Sequence, residues 1–432
     1  MISLALLVLL QATPASAQTQ ATKSTHETDA SGKDAPVREN SVVSLLDEDT
    51  TRVLHDDTTV LRTISSLDDE GVMLFGALRL WLGGAVQYDY HKLDGVFNHA
   101  GNGSTEEGGN LRRLEATARA QLLDWGELKA QYDLDLGIVR DLYWRWVSQR
   151  ANTPLTVTVG NQKEPIGLDG LTGNKFGMAQ EVSTATQAMG TRRSLGVRLH
   201  RAFQQDATQR KLDYFGDDTA MVTTSVGVFT EDIEQTNDTD IAITARVTAG
   251  REDATSGARI GLAGSYREGD FYRISFRPEL SEANRITVAR PDANTATVLA
   301  WEGIWAEDRL MLQSEAYYAD YSGPVDGYGA GAYAQLGWFL TPDTWQYNSR
   351  WGILAPHVPS GQYSVELFAR LSNTRGDDDI NGWNDYTSLT LGSSLYFRRF
   401  RASLNLLYGA SREPIDGEDD GFAISLRAQF LF

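Results

Sequence analysis

The feature that most constrains this chain is the strict alternation of apolar and polar residues in segments of about 10 residues. It is clearest at the end of the chain, where every second residue is apolar and polar residues lie between: Phe422, Ile424, Leu426, Ala428, Phe430 and Phe432 against Ser425, Arg427 and Gln429. Successive side chains of a strand point to opposite faces, so one face is apolar and the other polar. A helix would instead gather the charges on one stripe.

The same alternation recurs at 114–122 and 364–371 and, approximately, at 72–90, 128–136, 142–147, 155–160, 194–201, 221–230, 241–247, 259–266, 272–277, 297–305, 310–318, 328–339, 388–397 and 402–408. Clusters of Gly, Asp, Asn and Pro separate these segments, as in a transmembrane barrel. The 17 segments exceed by one the number in a barrel of 16 strands, so we expect one of them to be wrongly divided. The predicted fold is an all-β, antiparallel transmembrane β-barrel of about 16 strands.

The N-terminal region predicts export. An apolar run from Ile2 to Leu10 precedes Ala15-Ser16-Ala17, a small-x-small pattern typical of signal peptidase sites, so residues 1–17 are predicted to be a signal peptide. This run is too short to span a bilayer as a helix, which needs about 20 apolar residues. Residues 18–70 are polar and acidic and are predicted to form a flexible periplasmic segment, and residues 71–432 the barrel.

Composition excludes several classes of protein. The chain has no Cys, which excludes thiolate chemistry and disulfides, and its net charge of −19 argues against binding to nucleic acid. The six His residues are scattered, and no catalytic or phosphate-binding motif is present. We therefore predict no catalytic residue, no metal site and no cofactor. A soluble β-sandwich or β-helix is the alternative fold, with its apolar face inside.

Cations on the polar face of the predicted strands are the candidate lumen residues. A charge facing lipid at mid-membrane costs about 2–4 kcal/mol, so these side chains should point inward. The alternation selects Arg113, Arg119, Lys129, Arg145, Arg198, Arg246, Arg259, Arg273, Arg277, Arg370 and Arg427. They can act as stepping sites for anions, or pair with carboxylates such as Glu115, Asp133, Asp135 and Glu366.

The centre of the chain carries a family resemblance. The stretch LTVTVGNQKEPIGLDGLTGNKF from Leu155, followed by TRRSLGVRL from Thr191, resembles the phosphate-selective porins of the O and P type. Upstream LRRLEATARAQLLDWGELKAQYDLDLG and downstream GQYSVELFARLSNTRGDDDINGW are similar to other strands of that family. The resemblance covers roughly residues 72–432. It implies a 16-stranded trimeric barrel, a loop folded into the lumen, and anion selectivity.

A connection of about 30 residues between Gly160 and Ser194 agrees with that inward loop, because hairpin connections usually have about 2–5 residues. Lys163 matches the lysine of the family's K-E-P motif, and Lys175, Arg192 and Arg193 flank the expected constriction. Glu164 and Asp169 could neutralise part of this charge.

The sequence thus predicts a porin of the bacterial outer membrane for passive diffusion of small anions, phosphate or polyphosphate among them. The alternatives are a general or sugar-type diffusion pore and a structural barrel without solute specificity. The expected partners are outer-membrane lipid, two further copies in a homotrimer, and the assembly machinery that reads a terminal aromatic residue, here Phe432.

Overall fold

The computed structural model describes residues 72–74, 78–99, 104–122, 125–148, 155–204, 219–234, 239–252, 256–348, 350–415 and 417–432. The predicted signal peptide, residues 1–17, and the predicted periplasmic segment, residues 18–70, lie outside these ranges. In the described part of the chain no helix is long and apolar enough to cross a membrane.

Sixteen antiparallel strands form one sheet. Their bounds are β1 Leu78–Leu93, β2 Glu106–Leu122, β3 Gly126–Asp133, β4 Ile138–Val147, β5 Leu155–Lys163, β6 Arg193–Gln204, β7 Thr219–Phe229, β8 Thr239–Glu252, β9 Ser256–Phe271, β10 Ala293–Glu307, β11 Leu310–Ser322, β12 Gly327–Phe339, β13 Ser364–Asp378, β14 Gly382–Phe397, β15 Phe400–Ile415 and β16 Glu418–Leu431. Each strand pairs with its neighbours in the chain. The prediction of an antiparallel barrel of 16 strands is confirmed.

The sheet closes where β1 pairs with β16, from Ala85 opposite Leu431 to Leu93 opposite Ala423. Gly84 and Phe432 extend this seam by exchanging two backbone hydrogen bonds of 2.7 and 3.1 Å. A Cβ at Gly84 would lie 2.5 Å from the Phe432 ring, so the glycine makes room for the terminal aromatic side chain. A short strand, Val72–Leu74, pairs with the beginning of β1 on the same edge. A closed sheet leaves no unpaired edge in the bilayer.

The two faces of the wall follow the predicted alternation. On β16 the outward Phe422, Leu426 and Phe430 are 45–48% exposed, whereas the inward Arg427 and Gln429 are 4% and 3% exposed. The outer face is therefore apolar, as contact with lipid requires, and the polar face points into the barrel.

One of the 17 predicted strands is wrong. Residues 272–277 alternate like a strand but lie between β9 and β10, where Ile274–Phe276 pairs only with Ile286–Ala289 in a small separate sheet. Alternation cannot distinguish a strand of the wall from a short hairpin packed against it, because both have one apolar face.

The connections differ between the two ends of the barrel. We call the end with the start of β1 and the finish of β16 the terminal end, and the opposite end, where β5 leads toward β6, the loop end. Residues 164–192 and 272–292 leave the wall at the loop end, and residues 340–363 leave it at the terminal end. Side chains of all three segments join apolar clusters with the inner wall.

Candidate functional site

The inward-folded segment 164–192 contains two short helices, α1 Leu168–Thr172 and α2 Thr184–Met189. Gly167, with φ +76°, turns the chain into α1, and a Cβ there would lie 2.0 Å from the Tyr317 hydroxyl oxygen. The backbone N–H groups of Leu168 and Asp169 donate to the Glu315 carboxylate at 2.5 and 2.8 Å. A carboxylate of β11 thus holds the beginning of α1 inside the barrel.

Glu164 fixes the start of this segment to the wall. Its carboxylate accepts two hydrogen bonds from Arg267, at 2.8 and 3.0 Å, and others from Ser194 at 2.6 Å and Thr244 at 2.7 Å. The negative charge that the sequence placed beside Lys163 is therefore paired within the wall.

Arginines of the wall hold the middle of the segment by its backbone. Arg401 donates to the carbonyls of Gly177, at 2.7 Å, and Met178, at 2.5 Å. Arg370 donates to the carbonyl of Glu181 at 2.9 Å. The cost of burying these guanidinium groups is offset because their N–H groups donate to backbone carbonyls. Those carbonyls need donors, since the segment pairs with no neighbouring strand.

The Glu181 carboxylate joins the segment to β2 and β16, the two strands that flank β1 in the closed sheet. Arg112 binds it with two hydrogen bonds of 2.8 and 2.9 Å, and Arg427 binds it at 2.7 Å while also pairing with Asp89. Burial opposes ionisation, but Arg112 and Arg427 hold the pKa of Glu181 well below its usual range. This carboxylate stays charged at neutral pH.

The second inward segment, 272–292, turns at Glu279, whose φ of +56° is in the left-handed region. The Glu279 carboxylate is fully buried and accepts hydrogen bonds from Ser372 and, at 2.6 Å, from Thr390. Burial raises its pKa. The backbone N–H of Arg277 donates a hydrogen bond of 3.1 Å to the side-chain amide oxygen of Gln187. This bond connects the two segments that enter from the loop end.

The third segment, 340–363, enters from the terminal end with Trp351 at its tip. The indole stacks on His200 with ring centroids 4.3 Å apart, and His200 Nε2 lies 2.7 Å from the carbonyl oxygen of Arg350. Arg246 donates to the Trp351 carbonyl at 3.1 Å, and the Arg145 guanidinium lies 4.6 Å from the indole centroid. Sequence reasoning did not predict this segment.

The three segments leave a cavity of about 500 Å³ against the wall of β2 to β8. Its described lining holds 13 cationic side chains and four acidic ones. The cations are Arg112, Arg113, Lys129, Arg140, Arg145, Lys163, Lys175, Arg192, Arg193, Arg198, Arg246, Arg277 and Arg285, and the acids are Asp141, Glu164, Asp232 and Glu234. The described lining is therefore cationic on balance, although the whole chain is acidic.

Lys163 lines the cavity, but its ammonium group is engaged. It donates to the carbonyls of Gly170 and Leu171, at 2.9 Å each, and so caps the last turn of α1. These carbonyls are at the negative end of the helix and lack partners within it. The geometry therefore makes Lys163 a residue that shapes the loop, in addition to any effect of its charge.

The other three predicted constriction residues differ in their partners. Lys175 pairs with Glu115 at 2.8 Å, and Arg193 pairs with Asp141 at 2.6 Å. Burial lowers the pKa of Lys175 below its ordinary value, while Glu115 opposes this shift. Arg192 is exposed and its guanidinium forms no ion pair with any described residue.

The predicted lumen cations of the strands all point inward: Arg113, Arg119, Lys129, Arg145, Arg198, Arg246, Arg259, Arg370 and Arg427. Arg273 and Arg277 were assigned to a strand by alternation, and this is wrong, because they flank Ile274–Phe276 in segment 272–292. Of the carboxylates expected to pair with these cations, Glu115 pairs with Arg113, whereas Asp133 pairs with Arg140, which was not among them. Asp135 lies in the exposed turn after β3, and Glu366 accepts a hydrogen bond from the Tyr396 hydroxyl.

Two β-bulges add arginines that alternation placed outward. Gln87 pairs with Arg113 and Tyr88 with Leu111, so Arg112 is an extra residue in β2. Arg140 is likewise extra in β4, between Val139 and Asp141, and pairs with Asp133 at 2.8 Å. A bulge lets two consecutive side chains point to one face. The sequence does indicate both bulges, because two adjacent polar residues interrupt the alternation between apolar residues at Leu111–Leu114 and at Val139–Leu142.

Four arginines of the loop-end segments form what we call the four-arginine cluster: Arg192, Arg273, Arg277 and Arg285. Among the described residues none of the four has a carboxylate within 4.0 Å. Burial, and then the charges of the other three, lower the pKa of Arg285. Like charges held together without a counter-charge favour a bound anion. Sequence reasoning did not select Arg285.

Within the ranges that the structure describes, no group of three His, Asp or Glu side chains is arranged to hold a metal ion.

Known structures match the fold. In-vitro folded OmpT, an outer membrane protein of Vibrio cholerae, aligns with a TM-score of 0.53 at 11% identity, covering 84% of this chain and 99% of that chain. OmpT expressed in the outer membrane of Vibrio cholerae gives a TM-score of 0.51 at 11% identity, covering 84% of this chain and 100% of that chain. At this identity the likeness shows the fold alone. No curated protein matches the sequence.

The family profile described as phosphate-selective porin O and P matches residues 81–432, which includes most of β1 and all of β2 to β16. Family and fold agree on a channel of the outer membrane, rather than an enzyme. The chain belongs to the phosphate-selective porin O and P family.

Proposed function

We propose that this channel conducts small anions in preference to cations, phosphate among them. The observation that carries the proposal is the four-arginine cluster, together with the excess of 13 cations over four acids in the cavity lining. Fixed cations in a narrow, poorly hydrated passage raise the local concentration of anions and repel cations.

The cluster faces solutes that enter from the loop end, because all four arginines lie on segments that leave the wall there. Arg192, Arg273 and Arg285 are exposed, so a solute can reach them. Elsewhere in the cavity lining, Lys175 and Arg193 are paired with Glu115 and Asp141. An anion therefore moves from strong, uncompensated charge to weaker, paired charge, which permits release as well as capture.

We further propose that the channel is exported with residues 1–17 as a signal peptide, has residues 18–70 in the periplasm, and assembles as a homotrimer in lipid. The apolar outer face and the family support this arrangement. Phe432 is proposed as the residue read by the assembly machinery. Deleting it should abolish the heat-modifiable trimer seen on gels, and normal yields of trimer would contradict its role.

The direct test is the reversal potential of the channel in planar bilayers under a KCl gradient. The native channel should prefer chloride, and phosphate should reduce the chloride current. The double variant Arg273→Glu, Arg285→Glu should lower the ratio of chloride to potassium permeability several-fold. Arg375→Glu is the matched control, since Arg375 is exposed on the outer face of β13.

The outcomes separate the candidate functions. A native channel without preference between chloride and potassium would refute anion selectivity and favour a general or sugar-type pore. A folded protein that shows no conductance in any salt would favour a structural barrel.

A further inference from the structure

The cavity has a second kind of lining besides its cations. Apart from Ile138 and Val139 of β4, five apolar side chains line it and are each only partly buried, so they are open to a solute: Leu171, Phe176, Val182, Ile353 and Pro356. We call this set the apolar strip. A passage for hydrated inorganic ions alone gains nothing from such contacts, since ions do not shed water onto hydrocarbon.

The apolar strip is formed by two segments that enter from opposite ends. Leu168 of α1 and Leu354 are buried in one apolar cluster, with Ile353 packed against it. Leu171 is three residues after Leu168 and shares its face of the helix. Contact between α1 and Ile353–Leu354 therefore brings apolar residues of both segments together at the cavity.

Cations border the apolar strip. Lys175 Nζ lies 5.7 Å from the centroid of the Phe176 ring, and Lys175 is paired with Glu115 at the cavity wall. Arg140 and Arg193 line the same cavity. An anionic head group can thus meet a cation while the rest of the same molecule rests on hydrocarbon.

The size of the cavity is consistent with a solute larger than a single inorganic ion. Its volume of about 500 Å³ is within the range of roughly 300–1,000 Å³ found for sites that hold organic ligands. Such sites combine a mostly apolar lining with a few placed polar groups that fix orientation.

We propose that the cavity recognises organic anions, namely carboxylates with an aromatic or branched alkyl body. The head group contacts the cations and the body contacts the apolar strip. This inference rests on the proposed anion preference of the channel and adds the class of solute.

The experiment measures block of the chloride current at pH 7 by acetate and by benzoate, which carry the same head group, with phosphate and the neutral benzyl alcohol as further probes. Benzoate should block at a concentration about tenfold below that of acetate, equivalent to ~1.4 kcal/mol, because its ring leaves water. Benzyl alcohol should block weakly.

Two variants test the location. Phe176→Ser and Ile353→Ser lie on different segments, so damage to one segment cannot explain a shared result. Each should remove most of the difference between benzoate and acetate. The control Phe397→Ser changes a Phe on the outer face of β14 and should keep the native difference.

The failures are distinguishable. Equal block by acetate and benzoate, in a channel that still prefers chloride, would overturn the organic-anion inference alone. Equal block by benzyl alcohol and benzoate would also overturn it, since charge would then play no part. Loss of chloride preference in the native channel would overturn the proposed function itself.

Discussion

The arginines of the barrel wall and those of the loop-end segments differ in their partners. In the wall, Arg246 pairs with Glu302 at 2.6 Å, and Arg427 pairs with Asp89 at 2.7 Å. In the four-arginine cluster no carboxylate of a described residue lies within 4.0 Å, and Arg273 is exposed. The arginines of the wall are therefore engaged in holding other parts of the barrel, whereas those of the four-arginine cluster have no carboxylate of a described residue to neutralise them.

Burial explains the difference. A guanidinium removed from water is costly unless it is paired and fully hydrogen-bonded, so wall arginines require carboxylates or carbonyls. An exposed guanidinium keeps its water and can remain uncompensated, which leaves its field available to an anion. Variants of the two sets should accordingly separate stability from selectivity.

The largest effect is expected for Arg427→Gln. Removing this guanidinium leaves the buried Asp89 and Glu181 without one of their partners, which should destabilise the barrel by about 3–5 kcal/mol. Urea unfolding of the reconstituted protein measures this change. Arg273→Gln is the control and should change the free energy of unfolding by less than about 0.5 kcal/mol. Similar losses of unfolding free energy in both variants would contradict the proposed difference between wall arginines and loop arginines.

Lys163→Met tests a residue at the border between wall and loop. It removes two hydrogen bonds to the Gly170 and Leu171 carbonyls, so α1 should loosen at a cost of about 2 kcal/mol, with a larger single-channel conductance. Lys163→Arg should retain part of this capping. A variant with changed ion selectivity but native conductance and stability would instead assign Lys163 to the filter by its charge.

Arg140→Gln tests whether an arginine of the wall also contributes to chloride preference, as we propose for the arginines of the loop-end segments. Arg140 pairs with Asp133, but 22% of its side chain is exposed and it lines the cavity. We expect a loss of about 1 kcal/mol in stability together with a measurable fall in chloride preference. Arg112→Gln, which breaks the two-fold contact with Glu181, should cost more stability. An unchanged reversal potential in Arg140→Gln would restrict selectivity to the loops.

The smallest effect concerns ionic strength. Arg273→Gln should reduce chloride conductance in 0.1 M KCl and have almost no effect in 1 M KCl, because screening lengths are about 10 Å and 3 Å respectively. Single-channel currents at both concentrations provide the measurement. A reduction of equal size at high salt would mean that Arg273 contacts the permeating ion directly instead of attracting it from a distance.

The sequence alone determined the wall. Alternation predicted 17 segments, of which 16 are strands of the wall. It also predicted the polar inner face and the inward direction of cations such as Arg370 and Arg427, because each strand must offer hydrocarbon to lipid at every second residue. It could also have revealed the bulge at Arg112, where two polar residues separate Leu111 from Leu114. These features depend only on residues that are close in the chain.

Only the tertiary structure decided what fills the barrel. The length of segment 164–192 suggested an inward fold, but segment 272–292 resembled a strand, and nothing marked segment 340–363. Their positions depend on distant partners: Asp169 is held by Glu315, 146 residues away, and Trp351 stacks on His200 across the barrel. A periodic pattern indicates whether each residue faces lipid or the barrel interior. It does not indicate which of the many carboxylates of the wall will accept a hydrogen bond from an N–H group of a loop. The charge and apolar lining of the passage follow from those long-range contacts.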